Sequence, residues 1–181
     1  MNDFERDDAW QKMMRNTILA PSFYGQYATD GRYVFLDKGR LATLLQRRCA
    51  ADTVLQGKGG EAVFIEEKIV RFPKSGWPYT AFCLETDSCT RPGRESLGWM
   101  HYGRADYLLY CFQTAEGHLG CHLVDFPKLK EWFWQRHESF AVFGPLDTLN
   151  ATKGRVVPIE AVKRAVPHWP FMAHRPASAA A

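Results

Sequence analysis

The chain has 181 residues, 46% of them hydrophobic and 24% charged, with 6 Trp, 7 Tyr and 12 Phe and a formal net charge of +3. A chain near this length buries roughly 70% of the surface it exposes when unfolded, so a compact core is expected and intrinsic disorder, collagen-like repeats and low-complexity sequence are excluded. A charge of +3 is too small to identify a polyanionic partner by itself, so the placement of the cations has to carry that question.

No run approaches the 18 apolar residues of a membrane span, and the start MNDFERDD is acidic and polar, unlike a signal peptide. The expectation is a soluble, cytoplasmic protein with no membrane partner. The five cysteines form an odd set without a CxxC pair, and three lie in apolar, strand-like runs, as reduced core residues would.

In chain order, Asn2 stands three residues before Glu5 at capping-box spacing, and Trp10, Met13, Met14 and Ile18 recur at helical intervals. This predicts an amphipathic helix over 3–19 that ends at Pro21. SFYGQYATDGRYVFLDKG reads as turns around a short strand, and Leu41, Leu44 and Leu45 mark the apolar stripe of a short helix whose polar side carries Arg40, Arg47 and Arg48. From Ala50 the period becomes extended: ADTVLQ, the turn GKGG and EAVFIEEKIVRF form a predicted β-hairpin.

YTAFCLETD is a third predicted strand, SCTRPGRESLGW a polar loop, and the second half of MHYGRADYLLYCFQ a strongly apolar strand paired with HLGCHLVDF. Asp125 and Pro127 mark the start of a helix with Leu129, Trp132 and Phe133 on its buried stripe, and RVVPIEAVKRAV suggests another strand and helix. The order implies one α/β (α+β) domain over 1–170, followed over 171–181 by a tail with nothing to bury.

The chemistry concentrates between Asp52 and Lys68. Alternate side chains of a strand share a face, so Glu66 and Lys68 project together about 7 Å apart while Glu67 points the other way. The hairpin folds Asp52 back beside them. Two carboxylates and one amine at one point suit Mg²⁺ or Mn²⁺, hard cations that take carboxylate oxygen and keep several waters. Taken alone, such a spacing is common, and strand Glu and Lys usually sit on a solvated face. Here the three residues fall on both arms of one hairpin in an unusually apolar setting.

Asp52 followed by Glu66, Glu67 and Lys68 within FIEEKIV resembles the D…(D/E)xK signature of the PD-(D/E)xK nuclease superfamily. The resemblance covers roughly residues 3–125 and implies a restriction-endonuclease-like core, a mixed central sheet of four to five strands flanked by helices. It implies a metal-dependent hydrolase of DNA phosphodiester bonds, with Asp52 and Glu66 holding the metal and Lys68 orienting or activating the attacking water. It also implies accessory carboxylates at Glu5 and Glu85. The strand FCLETD and the sequence Arg104-Ala105-Asp106-Tyr107 are similar to phage and mobile-element members. Two departures stand out: Ala51 replaces the proline before Asp52, and Glu67 places a charge on the core-facing side, which leaves the register open by one residue.

Phosphate binding needs cations near the carboxylates. Arg71, Lys74, Arg91, Arg94, His101 and Arg104 are the nucleic-acid-binding candidates, with Trp77, Tyr79, Trp99 and Tyr102 interleaved either to stack on bases or to cap the sheet. His118, Cys121 and His122 have no fourth ligand spaced to complete a zinc site. The partner expected is nucleic acid, DNA first, with a dimer compatible and oligomeric state open. The alternative is a catalytically silent nuclease-fold protein that binds nucleic acid or a protein, as an inhibitor or assembly factor would.

Overall fold

The computed structural model describes residues 3–144 and 151–176, apart from 29, 31, 38, 58, 74, 75, 77 and 78 and the side chains of 3–6, 41 and 47. Asn2, Lys74, Trp77 and residues 177–181 of the expected tail, and the side chains of Glu5, Leu41 and Arg47, therefore lie outside the described residues.

The first helix does not stop where the sequence predicts. α1 (Asp3–Met14) passes into a π-helical stretch, Arg15–Tyr24, and a last short turn, α2 (Gly25–Tyr27). Pro21 in an α-helix would remove one N–H and clash with the carbonyl four residues back. The wider i→i+5 winding accommodates it, as the Gly25 N–H reaching the Ala20 carbonyl shows. The Ser22 hydroxyl donates to the Ile18 carbonyl, satisfying that acceptor as well. Ile18, Leu19, Phe23 and Tyr24 are buried, so packing holds the segment helical past the proline, whereas Met13, expected in the apolar stripe, is exposed.

β1 (Tyr33–Phe35) and α3 (Arg40–Cys49) follow, then β2 (Thr53–Gln56) and β3 (Ala62–Val70), the predicted hairpin. In α3, Ala42 is buried while Leu44 of the expected stripe is exposed. β4 (Ala81–Cys89) and β5 (Ser96–Leu97) lead through α4 (Trp99–Tyr102) to β6 (Tyr107–Gln113), β7 (Leu119–Asp125) and α5 (Phe126–Arg136). Asp125 caps α5, its Oδ1 accepting the Lys128 N–H at 3.0 Å, as the sequence predicts. β8 (Ala141–Phe143), β9 (Lys153–Pro158), α6 (Ile159–Ala165) and β10 (His168–Ala173) complete the order.

Among the described residues the strands form two sheets where one was expected. The first has six strands in the order β1-β2-β3-β6-β7-β10, and the second has four, β5-β4-β9-β8. In the first, only β3 and β6 run parallel; every other neighbouring pair is antiparallel, so the sheet is mixed. The strand expected in YTAFCLETD does form, as β4, but it leaves the first sheet and pairs with β9. The last strand continues to Ala173, which is fully buried, past the expected domain end at 170.

Each face of the first sheet has its own core. On one side Met14, Ile18, Leu19 and Tyr24 of the long helix pack on Ile65, Ile69, Leu109 and Cys111. On the other, Phe82, Leu84 and Val157 of the second sheet, with Phe126, Leu129 and Phe133 of α5 and Ile159 and Val162 of α6, pack on Leu108, Tyr110 and Phe112. β6 alternates between the two cores, which explains why its sequence YLLYCFQ is apolar throughout. All five cysteines are free, but only Cys111 and Cys121 are buried; Cys49 and Cys89 are half-buried and Cys83 is exposed, so the core reading holds for two of them. Among the described residues no helix is long and apolar enough to cross a membrane.

Candidate functional site

The site is built where α3 turns into β2. Ala50 ends α3 in the left-handed conformation (φ 47°), and Ala50 and Ala51 are both buried, so the chain reverses tightly and delivers Asp52 at the first position of the hairpin. The Asp52 N–H bonds the Ile65 carbonyl at 2.8 Å and its own carbonyl accepts from Leu36 N–H at 2.8 Å. Its carboxylate accepts the Glu67 N–H at 2.9 Å through Oδ2 and Gln46 Nε2 at 3.4 Å through Oδ1. Asp52 is thus pinned to β3 by both main chain and side chain.

The register left open by the sequence is resolved by the partners of three consecutive residues. Lys68 Nζ lies 2.6 Å from Glu66 Oε1, so these two share a face. Phe64 and Val70, on that face, join the core beneath the second sheet, while Val63, Ile65 and Ile69 join the core beneath the long helix. Glu67 faces the long helix: its carboxylate accepts from the hydroxyls of Tyr24 and Thr53 and lies 3.5 Å from Arg15 Nη1. Arg15 in turn pairs with Asp37 and lies 4.3 Å from the Phe35 ring centroid. The carboxyl on the core-facing side is matched by the Arg15 guanidinium, and its Oε1 accepts two hydroxyls.

The Glu66 carboxyl, 3% exposed, is held well above the usual carboxylate range, chiefly by burial. Lys68 opposes that shift, while Asp52 adds to it by its charge and by direct hydrogen-bond contact. Lys68 is itself raised despite desolvation, because Glu66, then Asp52 and Glu85, hold its proton. Glu85 of β4 therefore belongs to the site's field, and the Ser88 hydroxyl donates to it. Burial, followed by Asp52, pushes Glu67 up to about 7.

The donor set fits a hard divalent cation. Asp52 and Glu66 offer carboxylate oxygen only, and their crowding leaves the point short of positive charge. Among the described residues no three or more His, Cys, Asp and Glu side chains are gathered as a closed metal cage. Coordination here would fall largely to water and substrate oxygen, as Mg²⁺ prefers.

The outer candidates divide. Arg91 and Arg94 are exposed on the turn between β4 and β5, and Arg104 is exposed on the segment whose N–H bonds the Cys49 carbonyl at 2.7 Å, two residues before Ala51. Arg71 is drawn to the long helix, 3.2 Å from Asp7 and 4.6 Å from the Trp10 ring centroid, and the His101 ring packs on Trp134 with centroids 4.3 Å apart. His118 and His122, which the sequence places on one strand face, separate: His122 pairs with His168 at 2.8 Å, and His118 accepts from the Arg175 N–H at 3.1 Å.

Sequence reasoning missed the residues that hold the site from outside the D…ExK pattern. Arg15, Tyr24, Thr53 and Gln46 carry no local signature. Trp99, 5.2 Å from Lys68 Nζ, stood out only as one aromatic among several, although the glycines flanking WMHY marked a constrained turn. Comparison with family models, with curated proteins and with solved structures found no match to this chain.

Proposed function

We propose that the protein is a divalent-cation-dependent nuclease hydrolysing DNA phosphodiester bonds, with Asp52 and Glu66 holding Mg²⁺ or Mn²⁺ and Lys68 assisting the attacking water. The observation that carries this reading is the shared face of Glu66 and Lys68 on β3, to which the hairpin brings Asp52. The run β1-β2-β3-β6-β7, mixed in direction and covered by a long helix, supports the restriction-endonuclease-like reading of the core.

A cation between the carboxylates would supply the charge that lets a phosphate approach them and would polarise its oxygens. Lys68 stays an ammonium, so it acts by donating hydrogen bonds to the water oxygen and offsetting the charge that builds on the phosphate. In the hydrolysis the water oxygen bonds to phosphorus, one P–O ester bond breaks, a water proton leaves to solvent, and the departing alkoxide gains a proton. Arg91, Arg94 and Arg104 are available to neutralise neighbouring phosphates.

The test combines Mn²⁺ titration with cleavage of plasmid and oligonucleotide DNA. Asp52→Asn and Glu66→Gln should lose both cation binding and cleavage while the melting temperature holds or rises. Carboxylate crowding is relieved in both, and the amide oxygen introduced by Asp52→Asn still accepts the Glu67 N–H. Lys68→Ala should bind Mn²⁺ and fail to cut. A wild type that neither binds Mn²⁺ nor cuts nucleic acid refutes the reading, and one that binds nucleic acid without cutting is the silent nuclease-fold protein.

A further inference from the structure

α4 is a four-residue turn, yet both of its ends are fixed. At one, the Gly98 N–H bonds the Thr86 carbonyl at 2.7 Å, and a Cβ on Gly98 would stand 2.6 Å from the Glu85 carbonyl oxygen. At the other, the Gly103 N–H bonds the Trp99 carbonyl at 2.8 Å, and a Cβ there would stand 2.7 Å from the Phe126 ring. Lys130 of α5 clamps the same end, its ammonium donating to the Gly103 carbonyl at 2.6 Å and the His101 carbonyl at 3.0 Å. The turn is held between β4, beside Glu85, and α5.

This turn lies over the site. Trp99 stands 5.2 Å from Lys68 Nζ, and Tyr102, three residues on, occupies the same side of the turn. The Tyr102 side chain is half-buried, packed against the core beneath the second sheet. Its hydroxyl is held above the ordinary phenol range, first by burial and then by Glu66, and Lys68, Glu85 and Asp52 also act on it. All four charged groups of the site thus act on this phenol through the field at the turn.

The hydroxyl has capacity to spare. Tyr24 donates to Glu67, and the Tyr110 oxygen accepts the Cys83 N–H at 3.3 Å. The Tyr102 hydroxyl makes no hydrogen bond to any of the described residues. A neutral donor, uncommitted and carried on the turn that lies over Lys68, complements the oxygen of a phosphate ester, where it strengthens binding without adding charge.

We propose that Tyr102 is a substrate-contacting donor of this site, its hydroxyl hydrogen-bonding a non-bridging oxygen of the phosphate under attack. The proposal rests on the nuclease reading and adds to it a group outside the D…ExK pattern. Tyr102→Phe keeps the ring in its core contacts and removes only the donor. With wild type and variant compared on one DNA substrate in Mg²⁺, kcat should fall about 10- to 100-fold in the variant. Mn²⁺ affinity and melting temperature should not change. A phosphorothioate at the scissile position, whose sulfur accepts hydrogen bonds poorly, should narrow the gap between the two proteins. Equal kcat values would overturn the role of Tyr102 while leaving the nuclease reading standing. A loss of activity that tracks weaker Mn²⁺ binding or a lower melting temperature would also overturn it, as a structural effect. An inert wild type would remove the nuclease reading and this role together.

Discussion

Replacing Glu67 by Gln keeps the shape of the side chain and its capacity to accept from Tyr24 and Thr53, and removes the titratable charge. Burial, with Asp52 adding, raises the Glu67 carboxyl from an ordinary 4.5 to about 7. A group that holds its proton more tightly in the folded than in the unfolded chain stabilises the fold below the unfolded value, and that stability is lost as pH rises through the folded value. For Glu67 the decline spans about pH 4.5 to about pH 7. At 1.36 kcal/mol per unit, the part between about pH 5 and pH 8 integrates to roughly 2–3 kcal/mol. The Gln variant has no such decline, so its stability relative to wild type should grow by roughly 2–3 kcal/mol across that interval. Urea unfolding of both proteins at four pH values measures this directly. Losing one partner of Arg15 displaces the whole curve without altering its slope, because Asp37 still holds the guanidinium. A stability difference independent of pH would mean that Glu67 faces water, and with it the assignment of Glu66 and Lys68 to the site would fail.

Arg91→Ala and Arg94→Ala should each weaken DNA binding about equally for all sequences and lower the slope of log affinity against log salt by about 0.9, one phosphate contact each; an unchanged slope removes the β4–β5 turn from the binding surface. Gly98→Ala should cost about 1–3 kcal/mol by urea midpoint. The new Cβ would stand 2.6 Å from the Glu85 carbonyl oxygen and 2.7 Å from the Thr86 carbonyl carbon, backbone atoms that cannot step aside, whereas the Gly98 φ of −76° suits any residue. An unchanged midpoint would show that α4 is not wedged against β4.

The hairpin, the cap at Asp125 and the apolar strand after Asp106 were legible because each is written locally, in turn glycines, an acceptor before a proline, and β-branched or aromatic runs. The Asp52, Glu66 and Lys68 constellation was legible for the same reason: strand alternation and one tight turn fix it. The division into two sheets was not, because β4 carries the same alternation whichever sheet it joins; its choice is made by β9, about 70 residues later, which takes Phe82 and Leu84 into a different layer. Pro21 misled because its usual effect assumes α-helical winding, and only the buried face of Ile18, Leu19, Phe23 and Tyr24 makes the wider π-helical winding worthwhile. The fixing of the register by Arg15 depended on a contact between residues 52 positions apart.

The pairing of β3 with β6 bears on the order in which the chain assembles. Asp52, Glu66 and Lys68 meet by closing one short hairpin, whereas Ile65 finds its parallel partner Tyr107 42 residues further on, and β4 cannot close onto β9 until the chain beyond Lys153 has been made. Non-local parallel pairing across that separation is slow compared with closing a short hairpin, so β3 spends part of folding as an open edge with the sequence AVFIEEKIV. A β-rich apolar edge of this kind is a template for pairing with another chain. Glu66, Glu67 and Lys68 interrupt it at its centre, where ionised side chains without their folded partners keep water on the strand and oppose stacking against a second copy. The residues that form the site therefore also protect the strand from aggregation during the interval before β6 covers it.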